Sequence, residues 1–240
     1  MFRLFLCSLC YLVLSGCSAV YENGNFGGFK RSLNYTSHGY SVVKDPTGNA
    51  PTEYIQRFEL RDGECATELG WSDCRNNRER TELSQVGENF GKGWYGWYIY
   101  VPETYENIYP VKVALGQFHQ RSLTTPAIMF QNFYGGLHVD VQRTGNTIDH
   151  QEIIDKDDFK GRWHKIELNV SWSEDGFIKV YVNRKLKYSF EGDNRTSSGT
   201  YFKYGIYRTH VSRYLGEIPT QIVYYTGLRK GKTREDLEVN

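Results

Sequence analysis

The chain of 240 residues carries 29 Lys and Arg against 28 Asp and Glu, with 39% hydrophobic and 15% aromatic residues. Near-neutral charge excludes a protein held to nucleic acid by its bulk electrostatics, and the apolar content excludes a chain too polar to bury a core. The length suits one all-β domain, since sandwiches and barrels commonly run to roughly 200–250 residues.

Residues 1–16 have the marks of an export signal: Met1-Phe2-Arg3, an apolar run from Leu4 to Leu14, then Ser15-Gly16. The run is too short for a membrane-spanning helix. Leu14-Ser15-Gly16-Cys17 resembles a bacterial lipoprotein signal, which implies lipidation of Cys17. The expectation is an exported bacterial lipoprotein, periplasmic or on the cell surface, anchored to the outer membrane and otherwise without membrane contact. An ordinary signal peptide cut nearby is the alternative. Loss of Arg3 would take Lys and Arg from 29 to 28, so any attraction to a polyanion must come from a local patch. Cys65 and Cys74 are the cysteines left beyond Cys17, and in an oxidising compartment they read as a disulfide.

The Gly-, Asn-, Ser- and Tyr-rich residues 17–50 read as an anchor, tether and irregular entry segment, and residues 51–240 as the folded domain. From there the pattern has period two. Arg57-Phe58-Glu59-Leu60-Arg61 alternates charged and apolar residues, and Arg78-Glu79-Arg80-Thr81-Glu82-Leu83 puts Arg78, Arg80 and Glu82 on one face. These arginines suit anion binding, although surface charge ladders look the same. Trp94 to Val101 reads as a central core strand, and Trp94, Trp97 and Tyr98 are candidates for sugar stacking as well as for core. In the stretch Val111 to His119, alternation puts Val113, Leu115, Gln117 and His119 on one face.

Further strands are expected at residues 128–134, 137–142, 163–172 and 177–185, with a hairpin turn near Asn183-Arg184 into residues 187–190. A helical turn is expected near residues 154–159. In Tyr201-Phe202-Lys203-Tyr204-Gly205-Ile206-Tyr207-Arg208, alternation puts Tyr201, Lys203 and Tyr207 on one face, with Gly205 as a notch, and Phe202, Tyr204 and Ile206 on the other. That pattern fits the floor of a cleft, and it also fits an aromatic core strand. Residues 221–227 close the set. Many short strands with almost no helix imply a sandwich of two antiparallel sheets. Asp155, Asp157 and Asp158 read as a solvated turn, and His138 with Asp140 as a wet strand face, so no metal site is expected from the residues. The basic tail from Arg229 is broken by Glu235 and Asp236, which argues against a nucleic-acid arm.

Three segments, Arg80-Thr81-Glu82-Leu83, Gln117-Phe118-His119 and Tyr201 to Tyr207, resemble in this order the three blocks of jelly-roll polysaccharide lyases: alginate lyases, glucuronan lyase and heparin lyase I. Phe118 and Tyr204 depart from the alginate pattern, and Gly205-Ile206-Tyr207-Arg208 looks more like the heparin and glucuronan branch. The resemblance implies a concanavalin-like jelly roll, and β-elimination on an anionic, uronate-containing polysaccharide. By that resemblance Gln117 and Arg80 neutralise the uronate carboxylate, His119 is a base or carboxylate partner, and Tyr207 is the acid, or acid and base together. Lys203, Arg78, Glu82, Tyr201, Arg208, Arg57 and Arg61 become candidate substrate contacts. No cofactor is required on this reading, a structural calcium is compatible with it, and a monomer is expected. Two other readings remain: a non-catalytic carbohydrate-binding sandwich, and a glycoside hydrolase, which would need two carboxylates flanking the bond.

Overall fold

The computed structural model describes residues 20–121, 125–143, 147–196 and 199–239. The expected signal, its cleavage point and the expected lipid attachment at Cys17 lie outside the described residues. Two antiparallel sheets face each other. The first contains β1 (Val20–Glu22), β2 (Gly28–Ser32), β7 (Arg78–Gln85), β9 (Lys112–Gln120), β10 (Ile128–Asn132), β11 (Leu137–Gln142), β12 (Ile148–Ile154) and β16 (Thr200–Thr209), in the spatial order β1-β2-β7-β16-β9-β10-β11-β12. The second contains β3 (Tyr40–Lys44), β4 (Tyr54–Leu60), β8 (Lys92–Tyr100), β13 (Trp163–Ser171), β14 (Gly176–Val182), β15 (Lys185–Gly192) and β17 (Gln221–Gly231), in the order β15-β14-β13-β8-β17-β4-β3. A two-stranded ribbon, β5 (Thr67–Glu68) and β6 (Trp71–Ser72), sits in the disulfide loop, and among the described residues α1 (Lys156–Phe159) is the single turn of α-helix. This is the jelly-roll sandwich that the strand pattern implied.

Burial follows the alternation. Phe202, Tyr204 and Ile206 of β16 point inward and meet Trp97 of β8 and Phe58 of β4 across the gap between the sheets. Burying such rings contributes roughly 1.5–3 kcal/mol each. Asn183 and Arg184 both take positive φ, the backbone of a tight I′ hairpin turn.

Three expectations are corrected, and one strand is added. Residues 20–50 are not an irregular entry segment, because β1 and β2 extend the first sheet and β3 edges the second; the short strands and Gly-rich joints hide the period-two signal. β12 was likewise missed, because its polar run Ile148–Ile154 covers a solvent-facing edge. Second, Val113 and Leu115 do not share a face with Gln117 and His119. The ladder shifts register between Phe130 and Gln131 and again between Tyr204 and Tyr207, so Leu115 and Gly116 together occupy a β-bulge. Val113 and Leu115 join the core while Gln117 and His119 face the opposite way. The buried Tyr225 hydroxyl lies 2.6 Å from Leu115 O and 3.0 Å from Gly205 O, beside the kink. Third, Gly205 is not a notch for a ligand. Its φ is +128°, and a Cβ there would collide with Thr81 O and the Phe58 ring, so glycine is required by the backbone.

Candidate active site

The outward face of the first sheet carries a cleft of about 580 Å³. Arg78 and Arg80 of β7, Gln117 and His119 of β9, and Tyr201, Lys203 and Tyr207 of β16 all line it. Three neighbouring strands therefore bring the three sequence blocks together: Tyr207 pairs with Arg80, Lys203 with Gln117, and Tyr201 with His119.

Glu82 organises the floor. It is 2% exposed and accepts hydrogen bonds from Gln117 Nε2 at 2.7 Å and Arg80 NH1 at 3.2 Å, with Lys203 Nζ at 2.7 Å. Such a carboxylate does not line the cleft itself. It orients the amide, guanidinium and ammonium groups around it, so its place is beneath the cleft surface rather than on it. Burial lowers the Lys203 pKa from its ordinary value, against the raising pull of Glu82.

Arg80 is gripped along one edge of its guanidinium by Asp73, Nε and NH2 each lying 2.5 Å from a carboxylate oxygen. Although burial works against its charge, the Asp73 and Glu82 carboxylates hold its pKa above the ordinary range. Its guanidinium carbon lies 4.3 Å from the Tyr207 ring centroid. The phenol of Tyr207 is pushed up by burial, pulled down by Arg80 and pushed up again by Glu82, and the net shift is upward. Desolvation outweighs the nearby cations, and Tyr207 is a protonated phenol at neutral pH.

His119 Nδ1 is 2.7 Å from Gln120 O, a bond in which the ring nitrogen donates, which leaves the lone pair on Nε2. Its ring lies 5.5 Å from that of Tyr201. Arg78 NH1 is buried without a hydrogen-bond partner, an orphaned cationic donor at the cleft wall.

Several cleft residues were not anticipated. Lys112, His210 and Arg213 join Arg78 at one end, and Trp71 and Met129 contribute apolar surface. The His210 pKa is lowered by burial and by Arg78, Arg213 and Lys112. His210 and Arg213 follow the last motif residue, Arg208, at once, but carry no pattern of their own. The left-handed His210, φ +61°, turns the chain back at the cleft edge.

Three candidate contacts are elsewhere. Arg208 is 0% exposed and points between the sheets, as alternation after Tyr207 requires. It bonds Glu79 at 2.8 Å, Gln221 at 3.0 Å, and the carbonyls of Leu60, Arg61 and Pro219. Arg57 and Arg61 flank Glu59 at the second sheet, both bonded to its carboxylate. None of the three lines the cleft. Nor do the aromatic candidates: Trp97 is core, Trp94 stacks on Tyr181, and Tyr98 lies beneath Lys165. Cys65 and Cys74 form the expected disulfide, with an S–S distance of 2.00 Å, and the loop it closes carries Asp73. Among the described residues, no group of three or more His, Cys, Asp or Glu side chains is placed to hold a metal ion.

The model of a family described as polysaccharide lyase matches residues 21–229. A search of curated proteins finds no match. The endo-β-1,4-glucuronan lyase of the fungus Trichoderma reesei superposes with a TM-score of 0.69 at 15% identity, covering 92% of this chain and 98% of its own. The alginate lyase AlgAT5, of polysaccharide lyase family 7, gives 0.57 at 20% identity, covering 82% of this chain and 83% of its own. A β-glucanase catalytic domain from Podospora anserina gives 0.59 at 12% identity over 85% of each chain, so the sandwich alone does not select a chemistry. The family match spans nearly every strand of the two sheets, and with it the chain belongs to the polysaccharide lyases and is an enzyme of that class.

Proposed function

We propose that the cleft cleaves an anionic, uronate-containing polysaccharide by β-elimination. The observation that carries this reading is the placement of His119 and Tyr207 in one cleft with the orphaned Arg78 guanidinium and the Glu82-ordered Gln117 and Lys203. The C5 hydrogen of a uronate is very weakly acidic, and its removal generates a dianion-like enolate. Donors and positive charge at the carboxylate must stabilise that species as it forms. Arg78, Lys203 and the second amide hydrogen of Gln117 supply them. Arg80 is occupied by Asp73 and Glu82, and acts by positioning Tyr207 rather than by gripping the sugar.

His119 Nε2 takes the C5 proton. The electron pair moves into the C4–C5 bond, the C4–O4 bond breaks, and the Tyr207 phenol gives its proton to the departing O4. The products are an unsaturated uronate end and a free hydroxyl on the other fragment, with no water consumed. The raised pKa of Tyr207 favours the acid role and leaves the base role to His119. The Leu14 to Cys17 pattern supports export and lipid attachment, which would place this chemistry at a membrane surface.

The test is to incubate the protein with a panel of uronate polymers and follow the ultraviolet absorbance of the unsaturated product. Tyr207→Phe should abolish turnover while polymer binding persists. Saturated ends carrying an atom of solvent oxygen would instead assign the cleft to hydrolysis, and binding without cleavage by the wild type would make it a binding module.

A further inference from the structure

The floor of the cleft does not stop at β9. Residues paired directly across antiparallel strands face the same side, and one row runs Ser84, Lys203, Gln117, Met129, Asp140, His150 over β7, β16, β9, β10, β11 and β12. A second row runs Arg80, Tyr207, Ala114, Gln131, His138, Glu152. Lys203 and Gln117 occupy the first half of one row, and Arg80 and Tyr207 that of the other. The second half begins on the next strand, and its β11 and β12 residues lie roughly 10–14 Å from Gln117 at the usual strand spacing.

The two halves differ in charge. Arg78, Arg80, Lys112, Lys203 and Arg213 crowd the first. β10, β11 and β12 contain no Lys or Arg at all, and their outward face carries Asp140 and Glu152. Asp140 accepts hydrogen bonds from Gln131 and His150, and the His138 and His150 rings stack at 4.7 Å. His138 is 5% exposed, yet neither of its ring nitrogens has a hydrogen-bond partner, and Gln131 Oε1 beside it is equally unpaired and buried. Glu152 Oε1 stands 3.8 Å from His138 Nε2, too far for a hydrogen bond. Burial and the neighbouring His150 lower the His138 pKa, so the ring offers one donor and one acceptor at neutral pH. Above the imidazoles stands Tyr134, 58% exposed, with its ring 5.8 Å from His138 and 6.3 Å from His150 and 5.4 Å from the equally open Tyr109.

An aromatic wall beside paired donors and acceptors, next to carboxylates and on strands that carry no Lys or Arg, suits sugar hydroxyls and repels a uronate carboxylate. We propose that the β10–β12 half of the floor is a distal subsite for an uncharged sugar, so that the preferred substrate is a heteropolymer in which neutral sugars accompany the uronates. This inference rests on the lyase reading for its substrate, but the subsite is built from different residues.

The experiment compares kcat/KM on a homopolyuronate with that on a length-matched polymer of alternating uronate and neutral hexose, for the wild type, Tyr134→Ala and Glu152→Gln. Both substitutions are at solvent-accessible side chains. The wild type should prefer the heteropolymer, and each variant should lower that preference by about fivefold to tenfold, through KM. Preference for the homopolyuronate, or equal losses on both polymers, overturns the subsite. Calorimetric titration of Tyr207→Phe, with and without Tyr134→Ala, separates the two readings. Heteropolymer binding that weakens without Tyr134, when no polymer gives an unsaturated product, keeps the subsite and removes the lyase reading. Unsaturated product from polymers that bind equally well without Tyr134 does the reverse.

Discussion

Asp73 holds Arg80 through Nε and NH2, one edge of the guanidinium, and the same carboxylate accepts a hydrogen bond from the Trp71 indole at 2.8 Å. Asp73 is fully buried and adjoins Cys74, so its side chain ties the disulfide loop to the floor of the cleft. Asp73→Asn removes the charge and half of the fork. It should destabilise the protein by about 3–5 kcal/mol, as broken buried pairs do, and lower kcat more than it raises KM. Denaturant unfolding and steady-state kinetics on the same preparation check this. An unchanged kcat in a destabilised variant would show that Arg80 does not position Tyr207.

Arg208 has the sequence context of a substrate contact and the surroundings of a core residue. Arg208→Ala leaves Glu79 buried without its partner and should cost about 3–5 kcal/mol of stability. Affinity for polymer, measured below the unfolding transition, should stay within about twofold of the wild type. A selective loss of affinity in a stable variant would return Arg208 to the cleft.

Burial moves Lys203 and Tyr207 in opposite directions, the ammonium downward and the phenol upward. On raising the pH, discharge of Lys203 should make kcat/KM fall along a limb below the ordinary lysine value of about 10.4. Lys203→Arg keeps its charge throughout this range and should move the limb upward. A limb that stays in place in Lys203→Arg belongs to another group.

His164 is 3% exposed, and burial lowers its pKa, partly opposed by the Asp158 carbonyl 2.9 Å from Nε2. In the unfolded chain the ring titrates near the ordinary value of about 6.5. As the pH falls through that value, the unfolded state binds a proton that the folded state refuses, so stability drops until the lower folded pKa is reached. Urea unfolding at neutral and mildly acidic pH should show this loss, and His164→Gln should flatten it. A His164 resonance titrating at or above the unfolded value would contradict the assignment.

Much of the site is local and could be read from the chain. In β16, alternation alone separates Tyr201, Lys203 and Tyr207 from Phe202, Tyr204 and Ile206, because that strand keeps its register with β7. Cys65 and Cys74 needed only a compartment and a count. β9 could not be read this way, since its bulge at Leu115 and Gly116 is imposed by the strands on either side and inverts the face of every residue beyond it. Arg78, Arg80 and Arg208 look equivalent in the sequence. Packing divides them into a donor left open at the cleft, a positioning group saturated by Asp73, and a core tie to Glu79. Residue type and period two determine which groups can do chemistry and, within one strand, which side they take. Whether a cation is available to a substrate depends on which carboxylates reach it from distant strands, and only the assembled sandwich decides that.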